Sequence, residues 1–85
     1  MLITWDSEAW SDYVDWQAQD KKTVKRINML IKDVMRNGAL EGIGKPEALR
    51  YDLSGWYSRR IDDTNRLVYK IVDGTLKIAQ CKEHY

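Results

Sequence analysis

The sequence predicts an α+β domain, two helices followed by an antiparallel sheet. Two observations predict it. Apolar residues recur at helical spacing from about residue 7 to residue 36. From Trp56 onward they gather instead in short β-rich runs divided by turn signals. Eighty-five residues suffice for one domain, 1–85, with a modest core and no second lobe.

Leu2 to Trp5 can add a strand at the amino terminus. Ser7 is a good N-cap, and Glu8 places an acid in the first turn, where the helix dipole favours it. Trp10, Tyr13, Val14 and Gln17 then fall at helical spacing, so residues 7–19 read as a helix. Asp20 can cap a second helix, in which Val24, Ile27, Ile31 and Val34 form an apolar stripe. Asn37-Gly38 stops it, because glycine readily takes the left-handed conformation of a C-cap. The two helices are expected to form a short antiparallel hairpin. Residues 38–47, with Gly38, Gly42, Gly44 and Pro46, show no periodicity and read as a loop. Strands are expected over Trp56 to Ile61, Leu67 to Val72 and Thr75 to Cys81. Asp62-Asp63-Thr64-Asn65 joins the first two, and Asp73-Gly74 is a two-residue hairpin signal. Trp5, Trp10, Tyr13, Trp16 and Tyr69 are expected in the core.

Composition narrows the function. No stretch approaches the ~18 apolar residues of a membrane span. The first six residues lack a basic region followed by a long apolar segment, so no signal peptide is expected. Cys81 is the only cysteine and cannot form an internal disulfide, which points to a reducing compartment. One cysteine and one histidine offer no cluster for zinc. A cytoplasmic protein without metal or other cofactor is the expectation. The net charge of +1 is unevenly distributed. Residues 1–20 hold five acids and no bases, whereas residues 21–36 hold Lys21, Lys22, Lys25, Arg26, Lys32 and Arg36 against Asp33. Such a basic stripe suits a phosphate backbone, and serves equally as a solvated face that neutralises its acidic neighbour.

The only histidine, His84, is the penultimate residue, and a strand running almost to the chain end could hold it in place. With Glu47, Arg59, Arg60 and Arg66 it completes a set able to move a proton onto and off a phosphodiester. RNA carries its own nucleophile, the 2′-OH. Cleavage therefore needs a base for the 2′ proton, an acid for the departing 5′ oxygen, and cations for the phosphorane oxygens. Histidine, with an ordinary pKa near ~6.5, can serve as acid or base at neutral pH. Glutamate, near ~4.3, is a weak base there. Arginine grips a phosphate with two donors at once. Neighbours on a strand face opposite ways, so only one of Arg59 and Arg60 reaches a common site; the other covers the sheet or binds RNA.

Gly44-Lys45-Pro46-Glu47, Leu53-Ser54-Gly55-Trp56-Tyr57-Ser58-Arg59-Arg60-Ile61, Arg66-Leu67-Val68-Tyr69 and the terminal His84-Tyr85 occur in the order seen in YoeB toxins. The chain resembles this family of the RelE-like superfamily of bacterial toxin–antitoxin systems over essentially its whole length. The resemblance implies a fold like that of small microbial ribonucleases, with helices on one twisted antiparallel sheet. It also implies cleavage of messenger RNA in the ribosomal A site, silenced by a cognate YefM-like antitoxin, with a homodimer possible. Carried over by position, the general base falls on Glu47 and the general acid on His84. Transition-state arginines fall on Arg66 and Arg60, Tyr85 lies beside the acid, and Lys45 is a phosphate contact. Arg59 and the helix cations Lys21, Lys22, Lys25 and Arg26 are further candidate RNA contacts. The residue before Arg66 is often His in this family and is Asn65 here, so no role carries over for that side chain.

Three readings follow: a ribosome-dependent endoribonuclease, a non-catalytic RNA- or ribosome-binding module using helix 21–36, and a protein-interaction domain presenting its Trp and Tyr residues. An ordered imidazole at the chain end serves the first and is not needed by the other two.

Overall fold

The computed structural model describes residues 1–83. Strand β1 (Leu2–Trp5) leads into helices α1 (Ser7–Gln19) and α2 (Lys21–Asn37). Strand β2 (Glu47–Ala48) and a 3₁₀ turn, Tyr51–Leu53, precede β3 (Tyr57–Arg60), β4 (Arg66–Val72) and β5 (Thr75–Gln80). The five strands form one sheet in the order β1-β5-β4-β3-β2. Pairing from β2 to β5 is antiparallel, but β1 runs parallel to β5, with Leu2 opposite Thr75 and Trp5 opposite Ile78. The expected all-antiparallel sheet is corrected at this edge. A parallel pair requires a long crossover, and here both helices and three strands lie between the two partners.

Helix boundaries follow local chemistry. Asp6, rather than Ser7, caps α1: it sits in extended conformation and its carboxylate accepts from the Ser7 amide. Asp20 caps α2, accepting from the amides of Lys22 and Thr23 at 3.0 and 3.3 Å. These bonds hold its carboxyl below the usual range, led by those from the Thr23 hydroxyl and amide. Gly38, at φ 93°, closes α2 with its amide on the Val34 carbonyl. Asp73 and Gly74 both take positive φ, 49° and 72°, as a tight β4–β5 hairpin of the primed type demands.

The core lies between the helices and one sheet face. Ile27, Leu30, Ile31 and Val34 of α2 pack with Ala9, Leu67, Tyr69, Leu76, Ile78 and Cys81. Tyr69 is fully buried, whereas Trp5, Tyr13 and Trp16 are only partly covered and Trp10 is 50% exposed. The expectation that these aromatics are core therefore holds inside and loosens at the rim. Trp5, Trp10 and Tyr13 cluster there, with ring centroids 4.5–5.9 Å apart. The Trp16 indole donates to the Cys81 carbonyl at 3.0 Å, pinning α1 to the end of β5. Burial, with a lesser push from Asp12, raises the Cys81 thiol to about 12.

Arg59 crosses this core. Its side chain is completely buried, and all five N–H donors of its guanidinium are used. Nε donates to the Tyr69 hydroxyl at 2.9 Å, and Nη1 to Asp33 Oδ2 and the Ile43 carbonyl. Nη2 donates to the carbonyls of Gly38 and Glu41 at 2.8 and 2.6 Å. The Tyr69 hydroxyl passes its own proton to the Ala39 carbonyl at 2.6 Å. One side chain thus gathers the loop that follows α2. The loop's glycines are dictated by this approach: at Gly42 (φ 117°) a Cβ would run into the Asp33 carboxylate, and at Gly44 (φ 84°) it would lie 2.8 Å from a Leu30 methyl.

Arg59→Ala should cost about 3 kcal/mol or more, since it opens a cavity and strips Asp33 and three carbonyls of donors. Urea unfolding measures it. The same network sets acid sensitivity. The Ile43 amide, then Arg59, hold the folded Asp33 pKa below the ordinary 3.8. That contribution is present above pH 3.8 and is lost as pH falls through the depressed folded value. Between pH 5 and 2, Tm should therefore fall more gently for Asp33→Asn than for wild type.

Candidate active site

The sheet face turned away from the helices carries the predicted chemistry. Side chains alternate along a strand, so while Tyr57 and Arg59 point inward, Ser58 and Arg60 point to this open face. Glu47 lies opposite Ser58, Ser58 opposite Val68, and Arg60 opposite Arg66. Glu47, Arg60 and Arg66 therefore share one face across three adjacent strands, floored by the buried Ser58 and Val68. Arg66 Nη1 approaches Glu47 Oε1 at 3.4 Å. That side chain of Glu47 is 53% exposed and that of Arg66 21%. Water screens such a pair, so it contributes little to stability.

Strand β2 was not expected. Glu47 was read as a loop residue, and the two-residue pairing of Glu47-Ala48 with Tyr57-Ser58 fixes it in the sheet. The Arg60 amide donates to the Gly44 carbonyl at 2.7 Å, which sets Lys45, at φ 51°, beside Arg60. Lys45, Arg60 and Arg26 border one hollow with Asp62 and Asp63. Arg26 reaches the sheet from α2, donating to the Arg60 carbonyl at 3.0 Å. Arg60 itself pairs with the almost fully exposed Asp63 at 2.6 Å.

Lys21, Lys22 and Lys25 are exposed on α2. Arg59, expected as an RNA contact, is corrected: it is the inward member of the arginine pair, with every donor committed inside the protein. Among the described residues no three His, Cys, Asp or Glu side chains converge as a metal site. No helix among them is long and apolar enough to cross a membrane.

His84 and Tyr85 lie outside the described residues. The backbone leading to them is well anchored. The Glu83 amide donates to Asn65 Oδ1 at 2.7 Å, and the Arg66 amide donates to the Glu83 carbonyl at 3.0 Å. Gln80 Nε2 adds bonds to the Lys82 and Glu83 carbonyls at 2.9 and 3.2 Å. Sequence reasoning missed Asn65, whose only signal was its position immediately before Arg66 in a turn.

A helical hairpin on one side of a five-stranded sheet, with a carboxylate and two arginines on the other, defines a small α+β protein. Comparison with known proteins makes the assignment specific. Residues 5–85 match the family model of the YoeB-like toxin of bacterial type II toxin-antitoxin system, and the chain belongs to that family. The Toxin YoeB of Streptomyces coelicolor is 55% identical, with the whole of both chains covered. The toxin chain in a heterotetrameric YoeB-YefM toxin-antitoxin complex from Staphylococcus aureus is similar too. It superposes with a TM-score of 0.94 at 56% identity, covering 100% of this chain and 99% of that one. A YoeB dimer from the same organism gives a TM-score of 0.94 at 55% identity, covering 100% and 98%.

Proposed function

We propose that this toxin is a metal-independent endoribonuclease that cuts messenger RNA in the ribosomal A site and so inhibits translation. The observation that carries the reading is the Glu47–Arg66 pair, 3.4 Å apart on an open sheet face to which the Glu83 backbone, next to His84, is hydrogen-bonded. Glu47 takes the proton from the 2′-OH as the 2′ oxygen attacks phosphorus. His84 protonates the 5′ oxygen as the P–O bond breaks, with Tyr85 beside it. Arg66 and Arg60 neutralise the phosphorane oxygens. Lys45 and Arg26 hold neighbouring phosphates, and Lys21, Lys22 and Lys25 extend that grip along α2 to message and ribosomal RNA. The attacking group belongs to the substrate, so the scheme calls for no metal-bound water and no cofactor. Ribosomes place the activity in the cytoplasm.

The regulator is a YefM-like antitoxin whose disordered acidic–apolar tail folds along the toxin and covers or distorts the site. Support comes from the assembly of the Staphylococcus aureus relative with YefM. The dimer of a relative likewise supports a second copy of this chain as a partner.

In bacteria without the antitoxin, induced wild type should arrest growth. His84→Gln, Glu47→Ala and Arg66→Ala should each lose about 10²–10⁴-fold in cleavage rate and permit growth. Co-expression of the antitoxin should relieve the arrest. A folded His84→Gln that still arrests growth like wild type removes the acid assignment. A non-catalytic module gripping RNA through α2 would give arrest without cut message.

The products report the chemistry. Attack by the 2′-OH leaves a 2′,3′-cyclic phosphate, or the 3′-phosphate from its hydrolysis, and a 5′-OH on the other fragment. A 2′-methoxy group at the cut position should block cleavage, and DNA should remain whole. Fragment ends typed with polynucleotide kinase after cleavage of ribosome-bound message settle it. A 5′-phosphate, or cutting of the methoxy substrate, overturns the mechanism.

A further inference from the structure

The turn between β3 and β4 is held more firmly than a connection requires. Asp62 accepts from the amides of Thr64 and Asn65 at 2.8 and 2.7 Å, and from both of its carboxylate oxygens binds Asn65 Nδ2 at 3.1 and 3.0 Å. Burial, the largest single influence on this carboxyl, raises its pKa, but the donors from Asn65 and Thr64 outweigh it and leave it lowered. Asn65 is only 8% exposed. Its amide nitrogen is spent on Asp62, which aims its oxygen at the Glu83 N–H, 2.7 Å away. The next residue, Arg66, closes a second bond to the Glu83 carbonyl with its own amide. Glu83 takes φ 61°, a conformation that a side-chain-bearing residue keeps only when its surroundings hold it. So Glu83 is clamped, on both its N–H and its C=O, to Asn65 and to Arg66 at the start of β4.

We propose that Asn65 is a positioning residue: its side chain ties the Asp62 turn to the Glu83 backbone and thereby sets the general acid His84 against the leaving oxygen. Only a side chain with donor and acceptor on one short planar group fulfils both bonds here. Aspartate lacks the donor and would face Asp62 with a like charge. Alanine lacks both. The inference rests on the ribonuclease reading above and adds to it the residue through which the acid is placed.

Leaving-group chemistry isolates such a role. In a message with sulfur in place of the bridging 5′ oxygen at the cut, the 2′ oxygen still attacks phosphorus and its proton still passes to Glu47. The P–S bond then breaks with its electron pair on a thiolate, which departs without a proton. A defect confined to the acid therefore disappears on sulfur, and a defect in folding, RNA binding or the base does not.

Ribosome-bound oxygen and sulfur messages should be cut by wild type, Asn65→Ala and His84→Gln, with Tm measured for each. We expect Asn65→Ala to slow cleavage of the oxygen message by about tenfold or more, and His84→Gln by more still. On the sulfur message both should approach wild type. Gln80→Leu, which loosens the same segment from β5, should show the same split in milder form and carries the test if Asn65→Ala does not fold. Equal loss on both messages, or no loss on either, overturns the positioning role while leaving the ribonuclease reading intact. A wild type that cuts neither message overturns both.

Discussion

A single buried cation, Arg59, organises the half of the molecule that presents the site. A guanidinium is tolerated in a dry core only when its charge is matched and its donors are used. Asp33 supplies the charge, and the Tyr69 hydroxyl and three loop carbonyls take the remaining donors. The arrangement links the carboxyl-terminal half of α2, the loop after it, and strands β3 and β4 into one unit. The loop from Gly38 to Ile43 packs only Ala39 against the core, while Leu40 and Ile43 stay 51% and 39% exposed. Its path is set by carbonyls turned toward a cation, and from Gly44 onward the chain continues straight into Lys45 and Glu47.

That scaffold explains how a small sheet can leave one face for a candidate site. Helices cover one side, so Leu67, Tyr69 and Ile71 of β4 and Leu76 and Ile78 of β5 pack there, while Val68 floors the other face beneath polar side chains. Of the strands that carry the site, β3 has four residues and β2 only two. Glu47 is placed by β2's ladder together with the bond from the Arg60 amide to Gly44, three residues earlier. Glu47 is thus held in the sheet by backbone pairing while its side chain stays about half exposed, at 53%.

The sequence was most informative where local chemistry decides the outcome. Asp20, the stripe Val24-Ile27-Ile31-Val34 and Asn37-Gly38 mark α2 almost to the residue, and Asp73-Gly74 marks its hairpin, because caps and tight turns depend on neighbours a few positions away. The family resemblance implies that Glu47 and Arg66 work together, but the two-residue strand that seats Glu47 in the sheet was not legible. Long-range pairings were not legible. Alternation separates Arg59 from Arg60 but cannot say which turns inward; that depends on Asp33, the lone acid in the basic stripe, twenty-six residues upstream. The direction of β1 depends on where the sheet edge is vacant after four other strands have paired. Asn65 stood out only as a departure from the family's usual His, and no role could be read for it because its partner, the Glu83 amide, lies eighteen residues away.

The clamp on Glu83 also bears on how the protein can be handled. An affinity tag or fluorescent fusion appended after Tyr85 would begin two residues beyond a backbone fixed against Arg66. On the ribonuclease reading, such an extension follows directly on the proposed acid and its neighbour. A carboxy-terminally tagged preparation could then look harmless for reasons unrelated to its sequence. Met1, 61% exposed at the outer edge strand on the opposite side of the sheet order, is the place for such an extension.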